Sequence, residues 1–123
     1  MAKRLRIQSA SIDVVAKNKM VFASPRKVNL VAKLIRGMST EKALNTLLFC
    51  KKAVAVDVRK TLLSAIANAE ENYSMSGDLL TVKEAYVGKA IVLRRFMARA
   101  KGRAGPIRKK FSRLTVVLCE GRA

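Results

Sequence analysis

The chain has 123 residues, with 26 Lys plus Arg against 8 Asp plus Glu and a formal net charge of +18. That length suits one domain with a modest core, and a hydrophobic content of 50% excludes a simple disordered polycation. So large a basic excess points to nucleic acid or an anionic membrane surface, while no apolar run approaches the ~20 residues that span a bilayer.

Met1 to Ser11 reads as a basic arm carrying Lys3, Arg4 and Arg6. No apolar signal core follows it, because Asp13, Lys17 and Lys19 interrupt. Residence in the cytosol or an organelle interior is therefore expected. Ile12 to Phe22 is β-branched with weak alternation and predicts a strand, with Ile12, Val14 and Ala16 on one face. Ser24 can then cap a helix whose first position suits Pro25. Its apolar stripe is Val28, Val31, Ala32 and Ile35. Arg26, Asn29, Lys33 and Arg36 share another face, which is either solvated or set against a polyanion. Gly37 ends this helix as a left-handed cap.

Ser39 and Thr40 open a short second helix that buries Ala43, Leu44, Leu47 and Leu48 and ends near Cys50. A third and longest helix runs from about Lys52 to Asn72. Its stripe is Ala55, Val58, Leu62, Ile66 and Ala69, and Ala65, Ala67 and Ala69 permit close approach of a neighbour. Ser74 to Asp78 is a turn. Leu79 to Val87 predicts a strand with Leu80, Val82 and Tyr86 on one face and Glu84 as an exception; Leu114 to Leu118 predicts its partner. Phe22, Phe49, Tyr73 and Tyr86 are expected in the core. So are two reduced, unpaired cysteines, Cys50 and Cys119.

Between the two strands lies the most distinctive segment. From Ala85 to Cys119 there is no Asp or Glu, yet the segment holds Lys89, Arg94, Arg95, Arg99, Lys101, Arg103, Arg108, Lys109, Lys110 and Arg113. It repels itself and has little to bury, so polyanion must order it. Its flanks continue the strand pattern, and Gly102, Gly105 and Pro106 mark a reversal. The expectation is a projecting β-hairpin over residues 88–112, with arms of about a dozen residues reaching roughly 40 Å. Arg forks onto phosphate and stacks on bases better than Lys does. Phe96 and Met97 stand equally for RNA contact and for packing between the arms.

Catalysis is poorly served. The chain has no His, which removes the commonest general base and metal ligand. The carboxylates are scattered, and no phosphate loop is present. No enzyme activity, metal or cofactor is expected.

Four segments are specific. Ser24-Pro25-Arg26-Lys27-Val28 with Leu34-Ile35-Arg36-Gly37, then Ser64-Ala65-Ile66-Ala67-Asn68-Ala69-Glu70, Arg99-Ala100-Lys101-Gly102-Arg103-Ala104 and Leu114-Thr115-Val116-Val117 occur in order and spacing. Together they resemble the bacterial-type large-subunit ribosomal protein L-twenty-two family. Ala98, Arg113 and Gly105-Pro106 depart from that family's usual pattern.

The resemblance implies an α+β fold, with three helices packed on a small antiparallel sheet and a long protruding β-hairpin. The whole chain would be one ribosomal-protein domain. The resemblance implies a monomer that binds large-subunit ribosomal RNA, touches neighbouring ribosomal proteins and lines the nascent-peptide exit tunnel, in a bacterial or an organellar ribosome. RNA contacts are expected from Arg26, Lys27, Lys33 and Arg36 and from the basic residues of the hairpin segment. Arg94, Arg95, Phe96, Met97, Ala98 and Arg99 would line the tunnel beside the passing peptide. Two rivals remain from the residues alone. One is a DNA-architectural protein with basic β-arms, which would need a dimeric core. The other is a cationic membrane-surface protein, which would need exposed apolar helix faces.

Overall fold

The computed structural model describes residues 12–120, so the basic arm at residues 1–11 lies outside it. Six main elements follow in order: β1 (Val14–Val21), α1 (Pro25–Ile35), α2 (Thr40–Leu48), α3 (Val54–Tyr73), β2 (Leu80–Ala98) and β3 (Ala104–Glu120). The strands form one antiparallel sheet in the order β1-β3-β2. The helices cover one face of it, α3 against β1 and β3, α1 against β2, and α2 against the other two helices. This is the α+β arrangement expected from the sequence.

The helices follow the apolar spacing of their sequences, although Ser24 and Ser39, which stand at the N-caps of α1 and α2, make no side-chain capping hydrogen bond. In α1, Pro25 occupies the first turn, and the buried residues are Val28, Val31, Ala32 and Ile35. Gly37 then takes φ 77, a left-handed conformation that glycine adopts without steric cost. Its N–H donates to the Val82 carbonyl at 2.9 Å, and the Val82 N–H donates to the Met38 carbonyl at 2.9 Å. The end of α1 is thus stitched to β2. In α3, Ala65 and Ala69 are fully buried, so the helix lies close against the sheet, while Ala67 faces outward. Burial of Ile35, Leu62, Leu80, Leu114 and Leu118 contributes about 1.5–3 kcal/mol per side chain.

Several expectations are corrected. Strand parity breaks at three irregularities, between Asn18 and Val21 in β1 and, in β2, between Val82 and Glu84 and between Lys89 and Val92. An extra residue in a strand moves every later side chain to the other face. Hence Val14 and Ala16 are buried and then Val21, not its even-numbered neighbours; likewise Leu80 and Val82 are buried and then Ala85, leaving Tyr86 outside. Ile12 is exposed, as is Leu48 at the end of α2. Phe22, Phe49, Tyr73 and Tyr86 are all exposed rather than interior, because Val, Leu and Ala side chains close the core without them. Both cysteines are free, as expected, but half-buried.

Candidate nucleic-acid interface

The hairpin is rooted where the third strand stops. Val21 of β1 is the last residue paired with β3, opposite Ser112. Ser112 is fully buried, and its Oγ donates to the Ala23 carbonyl at 2.5 Å. Beyond it, among the described residues, only β2 and β3 continue, paired from Lys89↔Ser112 to Ala98↔Ala104. From Gly88 to Ala98 this section rises roughly 33 Å at ~3.3 Å per residue. The reversal lies at Arg99 to Arg103, where the Arg99 N–H donates to the Arg103 carbonyl at 2.6 Å and Lys101 and Gly102 take φ 62 and 69. Gly105 and Pro106 are not in the turn, as expected from the sequence, but in β3 opposite Met97 and Phe96. Proline is tolerated there because, among the described residues, nothing pairs with the other edge of this part of β3.

Register assigns the side chains to faces, since directly opposed residues share one. Val92/Lys110, Arg94/Arg108, Phe96/Pro106 and Ala98/Ala104 lie on one face; Leu93/Lys109, Arg95/Ile107 and Met97/Gly105 lie on the other. Arg94 and Arg108 therefore oppose each other directly, with Lys110 on the same face. Like charges in that relation destabilise a strand pair, and the hairpin has no carboxylate to relieve them. Phe96 is 83% exposed, so it does not pack between the arms. Arg94 to Arg99 are all exposed at the outer end.

The other predicted contacts divide into two groups. Lys27 in the first turn of α1 lines one cleft with Arg108, Lys109 and Lys110, and Pro25 lines another with Lys89, Arg94 and Phe111. That first turn carries no acid, although the helix dipole favours one there; Arg26 and Lys27 occupy it instead. Lys33 and Arg36 lie at the far end of α1. Arg36 is a tether within the body: its Nε donates to the Ala85 carbonyl at 2.7 Å and its Nη2 to Asn29 Oδ1 at 2.8 Å. Arg113, paired with Gly88, is exposed at the root, while Lys101 and Arg103 flank the tip. Sequence reasoning missed Lys52, which the α2–α3 connection places on the same cleft as Arg108 to Lys110. No linear spacing signals that meeting.

The carboxylates sit elsewhere. Glu41, Glu70 and Asp78 line one shallow depression beside the 3-10 turn Gly77–Leu79, where β2 begins. Glu120 pairs with Leu80 at that same end of the sheet. Among the described residues the only ion pair is Lys83 Nζ with Asp13 Oδ2, at 2.7 Å. The hydrogen bond to Asp13 raises the Lys83 ammonium above the usual lysine range. Among the described residues no group of three or more His, Cys, Asp or Glu is placed to hold a metal. Nor is any helix there long and apolar enough to cross a membrane.

A family model described as ribosomal protein L22p/L17e matches residues 16–119. Curated relatives named large ribosomal subunit protein uL22 extend the match. The Phenylobacterium zucineum protein is 50% identical over 121 residues, covering 98% of this chain and 96% of the relative. The Methylocella silvestris protein is 58% identical over 102 residues, covering 83% and 80%. The Rhodospirillum rubrum protein is 54% identical over 111 residues, covering 90% and 88%. The chain belongs to the L22p/L17e family of ribosomal proteins.

Proposed function

We propose that this chain is a structural, non-enzymatic constituent of the large ribosomal subunit in the cytoplasm, binding large-subunit ribosomal RNA and neighbouring ribosomal proteins. The observation that carries this reading is the acid-free hairpin with Arg94 directly opposite Arg108. Such a pair is unfavourable in water and favourable between phosphates. The body anchors the protein through Lys27, Arg26, Lys33 and the root cations Lys89, Arg108, Lys109, Lys110 and Arg113. The hairpin threads between RNA helices, and Arg94, Arg95, Phe96, Met97, Ala98 and Arg99 line the exit tunnel beside the nascent peptide. The protein acts as a monomer there, because one chain closes its own core. That closure also speaks against the dimeric DNA-architectural rival.

The test is co-sedimentation with large subunits after a high-salt wash, together with a salt series on RNA binding. Affinity should fall with a log–log slope of roughly −0.7 to −0.9 per neutralised phosphate. Arg99→Glu with Arg103→Glu should slow assembly or weaken incorporation. Loss of the wild-type chain in the wash, or normal particle yield from the double variant, would count against the reading.

A further inference from the structure

A cleft of about 810 Å³ opens beside the hairpin root, between the end of β1, the start of α1, the α2–α3 connection and β3. That volume falls in the range of about 300–1,000 Å³ found for clefts that hold small organic groups. Its floor is apolar, formed by Leu30, Ala53, Val54 and Phe22. Its rim carries Lys27, Lys52, Arg108, Lys109 and Lys110, and among the described residues no carboxylate lines it. Phe22 is 66% exposed, yet its ring is held against Phe111 with centroids 5.1 Å apart and planes at 49°. An exposed aromatic fixed by a neighbour loses little freedom when a second flat group covers it.

This combination has a specific complement. A rim of cations takes phosphates, and an aromatic floor takes a base face. A base within a helical stack has both faces covered and cannot reach such a floor. We propose that the cleft receives one unpaired, unstacked nucleotide of the RNA, its base against Phe22 and its phosphates on Lys27, Lys52 and the Arg108 to Lys110 run. The assignment rests on the RNA-binding reading above and adds to it a defined nucleotide site at the hairpin root, using Phe22 and Lys52.

The experiment uses the full chain with two probes, a single-stranded oligouridine and an RNA duplex of equal length. Phe22→Ala should lose about tenfold in affinity for oligouridine, in line with one base–aromatic stack, and keep its duplex affinity. Phe22→Trp should keep both. Phe22 is largely exposed, so unchanged thermal unfolding of the body is the folding control. Ultraviolet irradiation of large subunits containing the chain should leave a nucleotide adduct on the tryptic peptide Met20 to Arg26. Equal losses on both probes, no loss on either, or adducts confined to hairpin peptides would overturn the site while leaving RNA binding intact. Tighter binding of an acidic, aromatic peptide than of oligouridine, abolished in Phe22→Ala, would overturn it in favour of a protein partner. If the wild-type chain binds neither RNA probe, the broader RNA reading fails instead.

Discussion

Replacing Arg94 by Glu should strengthen the free hairpin and weaken its grip on RNA. The pairing of Arg94 with Arg108 would change from like-charged to opposite-charged. Directly opposed charges are worth about 0.2–1 kcal/mol in either sense, so the combined change is on the order of 1 kcal/mol. Beyond Ser112 no third strand pairs with the hairpin among the described residues, and a two-stranded ribbon is only marginally stable. Its opening equilibrium is therefore small enough for that change to register. A shift of about 1 kcal/mol slows amide exchange roughly fivefold at the outer residues Phe96 to Ala98. On RNA the sign reverses: at least one phosphate contact is lost, and the log–log salt slope shrinks by about 0.7–0.9. Exchange followed by mass spectrometry on the free protein, and filter binding from 50 to 200 mM salt, read the two effects separately. Arg94→Gln should lie between parent and Arg94→Glu in both. An Arg94→Glu hairpin that exchanges as fast as the parent, with an unchanged salt slope, would refute the reasoning.

Other consequences are simpler to state. Gly37→Ala should cost about 1–2 kcal/mol in urea unfolding, all of it from the backbone, because φ is 77 and an added Cβ meets nothing within 4 Å. Arg36→Lys should destabilise the body by about 1–2 kcal/mol, since one ammonium cannot reproduce the forked bonds to Ala85 and Asn29; its salt slope on RNA should match the parent's. The Lys83–Asp13 pair should matter only while the lysine is charged. Its hydrogen bond raises the folded-state value, so the contribution is complete below the ordinary lysine value of about 10.4 and fades as pH rises beyond it. The melting-temperature difference between parent and Lys83→Met should accordingly be constant from neutral pH upward and shrink only in strong alkali.

The helical half of the fold was legible because a period of 3.6 tolerates no ambiguity over three turns. Val28, Val31, Ala32 and Ile35 are buried as their spacing predicts. Strand faces were less legible, since alternation survives only until the first extra residue. Glu84, an exception to the predicted face, is the trace of the irregularity after Val82. The turn was partly legible: Gly102 sits in it as expected, but Gly105 and Pro106 do not. Gly105-Pro106 has the composition of a reversal, but the left-handed residues that make it are Lys101 and Gly102. Along the hairpin the arginines could be named from sequence, whereas the facing of Arg94 with Arg108 needed the register. The gathering of Lys52 and Phe22 with Arg108 to Lys110 around one cleft joins three distant parts of the chain and leaves no mark in local spacing.

The gathering of Glu41, Glu70 and Asp78 where β2 begins, with the arginine-rich tip at the other extremity, makes the molecule an electric needle. Its length exceeds the screening distance of about 8–10 Å in physiological salt, so the two ends respond independently to a charged surface. Within that distance of a polyphosphate the tip is drawn in, whereas an approach by the carboxylate end is repelled, which favours the tip-first orientation before any contact forms. Collisions of the wrong orientation are then short-lived, and insertion proceeds point first.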